Sequence, residues 1–278
     1  TAPVTLRNLA VAGDFVLIAS QGGINFWLGN HAGADGRTVV TPVPRREIPL
    51  DFLNRRLDHP WLREDVWLSS AYGADVGMKR RSSESEISEY WYGQAWDWIS
   101  LHPREFLLLA AKKALYLFQA REVSNNRDLL HHREQFIVLR ACLPSMGWIA
   151  PLALVGIGVA LMKERRRRWL WPLFFVGLYG ASVVMFFVTT RYRAPMLPAL
   201  VLFAGLTVER TLTWAKDGQW IRAVAAVTAV GILAVPVNLD WPRWNDRPLR
   251  SAMRYNLGIA LFEQGKYQGA EGEFRAAV

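Results

Sequence analysis

The pattern of hydrophobic and polar positions divides the chain into three parts. Residues 1–135 are polar with scattered aromatic residues, residues 136–239 are mainly apolar runs separated by short basic clusters, and residues 240–278 are polar again. An uncharged run of about 20 residues is long enough to cross the roughly 30 Å hydrocarbon core of a bilayer as a helix. The pattern therefore predicts a mainly α, polytopic helical membrane protein.

Four segments of the apolar region are candidates for membrane spans, namely 141–162, 169–190, 194–208 and 223–239. The strongest is 169–190, which contains no charged residue in 22 positions. The run 194–208 has only 15 residues, and it reaches a spanning length only if it continues as far as Trp214. The sequence thus predicts four transmembrane helices within 136–239.

The basic residues predict the orientation of these spans. Lys163–Arg168 (KERRRR) forms the short gap between the first two spans, and the positive-inside rule places such a loop in the cytoplasm. Alternating crossings then put Arg191–Arg193, residues 1–135 and residues 240–278 on the non-cytoplasmic side. Because the net charge of +9 is densest in this loop, membrane lipid is the expected partner and nucleic acid is not.

Residues 1–135 are expected to form an extracytoplasmic region of mixed structure. The short apolar runs 15–20 and 24–28 flank Gly22-Gly23, a pattern typical of a strand, a turn and a second strand. Residues 83–101 begin with acidic residues, which favour the N-terminus of a helix. The aromatic residues on that helix are interpreted as packing residues, with sugar or lipid contact as the alternative: Tyr90, Trp91, Tyr92, Trp96 and Trp98.

Residues 104–119 (REFLLLAAKKALYLFQ) look like a further span but carry Lys112 and Lys113 at their centre. A crossing here would invert every later span and place the basic loop outside. The segment is therefore predicted to be an amphipathic helix lying on the membrane surface. The alternative is an ordinary helix of a water-soluble region.

Residues 251–278 match the spacing of a tetratricopeptide repeat, a helical hairpin of 34 residues. Counted from Ser251, the residues at the diagnostic positions are Leu257, Gly258, Leu261, Ala270, Phe274 and Ala277. One repeat cannot bury its own apolar face, so more repeats are expected to follow. The chain also begins at Thr1 without Met or a signal peptide, and it is expected to be a piece of a longer protein, cut at both ends. A chance helical hairpin is the alternative.

The most informative polar site is Arg191-Tyr192-Arg193, at the predicted outer end of a strong span. Two Arg side chains can bind a phosphate through paired hydrogen bonds, and the alternative is that they only reach the membrane surface. The one metal-like cluster, His131-His132 with Glu134, is interpreted as a charged face, so no metal site is predicted.

Four ordered blocks of sequence together resemble a known family. They are IASQGGINFWLGNHAGADG (18–36), SESEISEYW (83–91), HPREFLLLAAKK (102–113) and TRYRAPMLPALVLFAG (190–205). Together they resemble bacterial membrane glycosyltransferases of the GT-C superfamily, of the dolichyl-phosphate-mannose protein mannosyltransferase and aminoarabinose transferase type. The likeness covers residues 1 to 240, and some bacterial members carry C-terminal tetratricopeptide repeats.

The resemblance implies transfer of a sugar from a polyprenyl-phosphate donor to an acceptor on the outer face of a bacterial plasma (inner) membrane. The family's catalytic carboxylate lies in its first outer loop, which is expected upstream of Thr1. No catalytic residue is therefore assigned here, and this piece is expected to be inactive alone. No cofactor is assigned, and a need for a divalent metal stays open. The residues assigned to the donor phosphate are Arg191, Tyr192, Arg193, Lys112 and Lys113, and those assigned to a cavity-lining loop are Gly22, Gly23, Asn25 and Asn30.

Two other functions fit the same pattern of spans and repeat. One is a membrane-anchored scaffold whose tetratricopeptide repeats recruit protein partners outside the cell. The other is an O-antigen ligase or polymerase, which is also multi-span and sometimes carries repeats.

Overall fold

The computed structural model describes residues 2–13, 21–37, 41–44, 47–52, 65–121, 145–162, 166–239 and 247–277. Within these ranges the chain is mainly helical and contains no strand. The mainly α class predicted from the sequence is therefore confirmed.

Twelve α-helices are numbered here along the described chain. The first five are α1 (Ala2–Ala12), α2 (Gly22–Gly29), α3 (Asp65–Met78), α4 (Glu84–Leu101) and α5 (Pro103–Phe118). The next five are α6 (Met146–Leu161), α7 (Leu170–Met185), α8 (Thr190–Arg193), α9 (Leu197–Lys216) and α10 (Trp220–Asn238). The last two are α11 (Arg247–Glu263) and α12 (Tyr267–Ala277), and 3₁₀ turns precede α7 at Arg166–Trp169 and α9 at Ala194–Met196.

Three helical stretches of the described chain are long and apolar enough to cross a membrane: Arg167–Met185, Thr190–Lys216 and Trp220–Asn238. They indicate that the protein is associated with a membrane. The remaining predicted span, 141–162, corresponds to α6, an apolar helix of 16 residues. Residues 136–144 lie outside the described residues, so a crossing there stays a prediction.

The bounds of one predicted span were wrong, and another span extends as its length required. The run 169–190 is not one helix, because α7 ends at Met185 and the backbone from 186 to 189 is not helical. Thr190 begins the next helix, whose first turn is stabilised by the side chain of Thr189 accepting a hydrogen bond from the Tyr192 N–H. The third run is longer than its 15 apolar residues, since α9 continues to Lys216.

The described helices form two compact units, Thr1–Tyr116 with Ala181–Val188, and Leu117–Gly180 with Thr189–Val278. In the first unit α2 packs closely against α4. The Gly23 N–H donates to the Ser88 hydroxyl at 2.9 Å, and a Cβ atom added at Gly23 would lie only 1.8 Å from the Ser88 carbonyl oxygen. Only glycine permits this approach of the two backbones.

The predicted strand at 24–28 was therefore wrong, because these residues lie inside α2. A short apolar run fits a buried helix as well as a strand. Here both faces of the run are covered: Ile24, Phe26 and Leu28 are all buried. The companion strand predicted at 15–20 lies outside the described residues. The pair at Gly22-Gly23 belongs to the first turn of the helix and not to a hairpin turn.

The helix predicted at 83–101 is confirmed as α4. Ser83 caps it, accepting from the Glu86 N–H while the Glu86 carboxylate accepts from the Ser83 N–H. The Arg80 guanidinium also donates to that carboxylate and holds the pKa of Glu86 at about 2. Along the helix, Trp91 is buried and donates to the Ser70 carbonyl of α3, whereas Trp96 is 53% exposed.

In the second unit α6 packs against α9 and α10, which also contact each other. The Thr207 hydroxyl of α9 donates to the Leu152 carbonyl of α6 at 2.6 Å. A Cβ atom added at Gly156 would lie 2.0 Å from the Phe203 carbonyl oxygen. A small residue on α6 thus allows a close helix crossing of the kind found between membrane helices.

At the end of the same unit α11 and α12 form a helical hairpin. Gly265, with φ of +75°, forms the turn between them. Gly258 lies against the Phe274 ring, where an added Cβ atom would come within 2.6 Å of the ring. Ala270 is buried between the helices, and Arg254 pairs with Glu273. Two of the diagnostic small residues, Gly258 and Ala270, therefore lie where the two helices meet.

Candidate functional site

A buried lysine is the central feature of the site in the first unit. Lys113 lies on α5 with none of its surface exposed, and its ammonium donates to Asn30 Oδ1 at 2.9 Å. Asn30 directly follows α2 and is equally buried. The two residues are 83 positions apart in the chain, so the fold, and not local structure, brings them together.

The orientation of the Asn30 amide is set by the backbone around it. Asn30 Nδ2 donates to the carbonyls of Phe26 at 2.8 Å and Met185 at 2.7 Å. Because both N–H groups of the amide are used, its oxygen is left to face Lys113. Asn30 therefore positions the lysine ammonium.

The loop 31–37 (HAGADGR) packs against the lysine stem. Gly36, with φ of +85°, comes so close that an added Cβ atom would lie 2.7 Å from Lys113 Cγ. Asp35 Oδ1 accepts from the Arg37 N–H at 2.8 Å, and Gly36 O accepts from the Val188 N–H at 2.9 Å. Since a side chain would be strained and would clash at Gly36, glycine is required for the loop to reach α5.

A second cation lies next to the lysine helix. Arg37 is only 5% exposed, and its guanidinium carbon lies 3.9 Å from the centre of the Tyr116 ring. This is a close cation–π contact. Burial raises the pKa of the Tyr116 phenol to about 12, so the phenol is uncharged at neutral pH.

The electrostatic feature that stands out in the site is the environment of Lys113. Burial lowers the pKa of Lys113 to about 7, and within the described part of the chain Lys113 makes no ion pair. His31 stacks on Trp27 at 4.2 Å, and burial lowers the pKa of its imidazole too. Its Nδ1 lies 3.0 Å from the Trp27 carbonyl, so this nitrogen carries the proton of the neutral ring. An anion that binds beside Lys113 would supply the negative counter-charge and so favour the protonated form of the lysine.

The structure brings together only part of the residue set that the sequence predicted. Lys113 and Asn30 meet directly. Lys112 is half-buried, with its ammonium 5.9 Å from the Tyr116 ring centre. Asn25 is half-buried on α2, and Gly22 faces the Tyr92 hydroxyl. The glycines at 22 and 23 thus serve helix packing, and the loop that packs against Lys113 is 31–37.

The predicted Arg-Tyr-Arg site belongs to the second unit. Arg193 is buried, and its guanidinium donates to the carbonyls of Gln119 at 2.7 Å and Arg121 at 3.0 Å. Arg191 is exposed. The Tyr192 carbonyl accepts from the Tyr179 hydroxyl at 2.8 Å. Arg193 thus holds the backbone that follows α5, and phosphate binding by Arg191 and Arg193 stays a prediction.

Three residues of the site were missed by the sequence prediction, namely His31, Arg37 and Tyr116. The signal for the first two was the Gly-rich block HAGADG, which ends in an arginine. The signal for Tyr116 was its spacing of three from Lys113, which places both on one helix face. The cluster at His131, His132 and Glu134 lies outside the described residues, and those residues that are described contain no metal-type cluster.

Comparison of the chain with protein-family models, with curated proteins and with solved structures gives no match. The function is therefore inferred from the chemistry of the site and from the sequence pattern.

Proposed function

We propose that this chain is part of a bacterial membrane glycosyltransferase that moves a sugar from a polyprenyl-phosphate donor to an acceptor on the non-cytoplasmic face of the membrane. The observation that carries the proposal is Lys113, a fully buried cation that is hydrogen-bonded to Asn30 and makes no ion pair in the described chain. The three apolar helices also support the proposal, because they indicate a membrane protein and a polyprenyl-phosphate donor resides in a membrane.

A phosphate is the ligand that this arrangement favours. Burying an ammonium without a partner is costly, and the cost is offset when an anion pairs with it and accepts its hydrogen bonds. Lys113 can donate two further hydrogen bonds beyond the one to Asn30. Phosphate oxygens accept such charge-assisted bonds strongly.

The chemistry proposed for this chain is stabilisation of the leaving phosphate. As the bond between sugar and phosphate breaks, negative charge grows on the phosphate oxygens, and a pre-positioned ammonium stabilises it in the transition state. Asn30 holds the ammonium in place. Since loop 31–37 covers Lys113, the loop has to move aside for a phosphate to reach the ammonium. No described residue is assigned as the base that activates the acceptor.

The hairpin α11–α12 is inferred to be a tetratricopeptide unit, supported by the contacts of Gly258 and Ala270. Such units bind protein partners or stack with further repeats. This feature favours the membrane-anchored scaffold as the second candidate function. A scaffold needs no buried cation. Sugar transfer that depends on Lys113 would therefore distinguish the glycosyltransferase from the scaffold.

The test replaces two adjacent lysines in the complete protein and measures sugar transfer from a polyprenyl-phosphate sugar. Lys113→Met is expected to lower transfer roughly 10- to 100-fold, because a charge-assisted hydrogen bond contributes about 1.5–3 kcal/mol. The proposal places Lys113 and not Lys112 on the phosphate, because only Lys113 is fully buried without an ion pair in the described chain. Lys112→Met removes the neighbouring, half-buried charge and is therefore expected to leave transfer within about threefold, as is usual for surface charges.

Folding is controlled by requiring both variants to elute as the wild-type protein does on size-exclusion chromatography. If Lys113→Met does not fold, Lys113→Arg, which keeps the charge but changes its geometry, is measured instead and is expected to be impaired. Equal transfer by the wild-type protein and a folded Lys113 variant would refute the phosphate role. Absence of any transfer by the wild-type protein would favour the scaffold.

A further inference from the structure

Helix α5 buries a lysine and exposes leucine side chains on its outward side. Its lysine at 113 is fully buried, whereas Leu107 is 66%, Leu108 63% and Leu115 55% exposed. In water the opposite arrangement is favoured, because exposed leucine is poorly solvated and a buried ammonium is costly. The outward side of α5 is therefore suited to an apolar medium.

The exposed apolar residues form one continuous stripe. Leu107, Leu108, Ala111 and Leu115, called here the leucine face, follow the spacing that places residues on one side of a helix. All four are exposed. The opposite side of the helix consists of buried residues that pack into the first unit: Leu109, Lys113 and Tyr116.

Charge identifies the kind of medium that this stripe contacts. Arg104 is exposed at the N-terminal end of the leucine face, and Lys112 lies half-exposed along one margin. Glu105 is exposed beside Arg104, so the charge at the edge is positive on balance. Leucine in the centre with a net positive edge matches the boundary of an anionic bilayer, where acyl chains meet negatively charged headgroups. The same chain carries three helices able to cross a membrane, so a bilayer is present wherever the protein works.

We propose that the leucine face of α5 is a membrane-contact surface that inserts into the headgroup and acyl boundary of an anionic bilayer. Arg104 and Lys112 bind lipid phosphate or carboxylate groups at its edge. This surface does not depend on sugar transfer: it would hold α5 against the membrane whichever reaction the protein performs.

The test places a nitroxide spin label at single positions of the complete protein, with Cys142 replaced by Ser. The labelled variants are Leu108→Cys and Leu115→Cys on the leucine face. The matched control is Gln94→Cys, an exposed position of α4. Each variant is reconstituted into vesicles of phosphatidylethanolamine and phosphatidylglycerol, and power saturation measures collision of the label with oxygen and with a water-soluble nickel chelate.

Oxygen concentrates in the acyl region and the nickel chelate in water. The ratio of oxygen to nickel accessibility is expected to be at least severalfold higher at 108 and 115 than at 94. A ratio equal to that of Gln94→Cys would show that the face lies in water. Low accessibility to both reagents would show that another protein surface or a second copy covers it. Either result would overturn the proposal.

A separate control tests whether the contact depends on anionic lipid headgroups. Replacing phosphatidylglycerol by phosphatidylcholine, or replacing Arg104 and Lys112 together by Gln, is expected to reduce the ratio at 108 and 115, because the attraction of the basic margin is lost. An unchanged ratio would contradict the role of these two cations. Since all labelled side chains are exposed, these substitutions are expected to leave the fold intact.

Discussion

At the scale of single residues, the burial of Lys113 makes the stability of the folded protein depend on pH. Its pKa is about 7 because burial disfavours the charged form, whereas a lysine in the unfolded chain titrates near 10.4. Between these two values the unfolded chain binds a proton that the folded protein does not. The free energy of unfolding therefore rises with pH across this window, and below pH 7 the cost of the buried charge is fully present.

This sign gives a prediction for Lys113→Met in phosphate-free buffer. The variant lacks the buried charge. The melting temperature of the variant minus that of the wild-type protein is therefore expected to be largest at pH 6. This difference should fall by pH 9.5, where the wild-type lysine is uncharged in the folded protein. Differential scanning fluorimetry in detergent measures both proteins, and Lys112→Met serves as the control, for which no comparable shift is expected. A difference that stays constant from pH 6 to pH 9.5 would mean that Lys113 is not a desolvated cation.

The sequence predicted two members of this site and missed the others for a physical reason. Lys113 and Asn30 were selected because of their chemistry and their sequence blocks. Arg37 and Tyr116 were not, because their contact depends on how closely loop 31–37 approaches α5. That approach is set by Gly36, whose backbone conformation is not visible in a hydropathy pattern.

At the scale of helices, glycine decides where backbones meet. The error at 24–28 came from interpreting Gly22-Gly23 as a turn, when these residues form the contact between α2 and α4. The helix α4 itself was predictable, because its start is encoded locally by Ser83 and Glu86. The start of a helix can thus be predicted from its capping residues. The role of a glycine in close helix packing can be predicted only when the partner helix is known.

Helix α6 offers a matched pair of glycines that tests this view. Gly156→Ala is expected to destabilise the protein by about 1–3 kcal/mol, because its methyl group would overlap the Phe203 carbonyl. Gly158→Ala, where no atom outside the helix lies within 4 Å, is expected to change stability by less than about 1 kcal/mol. Unfolding in detergent with increasing denaturant measures both. Equal effects of the two substitutions would show that α6 and α9 do not cross at Gly156.

At the scale of the whole molecule, the apolar runs predicted the helical class, which is confirmed, and four membrane spans. Three of these spans correspond to helices long and apolar enough to cross a membrane. Both predictions follow from length and composition, because a bilayer demands long uncharged helices. The break after Met185 was not predictable from hydropathy, since residues 186–189 are as uncharged as the helix before them. The side of the membrane on which each loop lies stays a prediction of the positive-inside rule.

The central claim is that a lipid-borne phosphate binds at Lys113, and photoaffinity labelling tests it most directly. The complete protein in vesicles is irradiated with a diazirine-bearing polyprenyl phosphate, and labelled peptides are mapped by mass spectrometry. We expect label on residues 31–37 or 107–116. It should be lost in Lys113→Met, be kept in Lys112→Met, and be competed by polyprenyl phosphate but not by polyprenol. Label that is found elsewhere, or that polyprenol competes equally well, would contradict the claim.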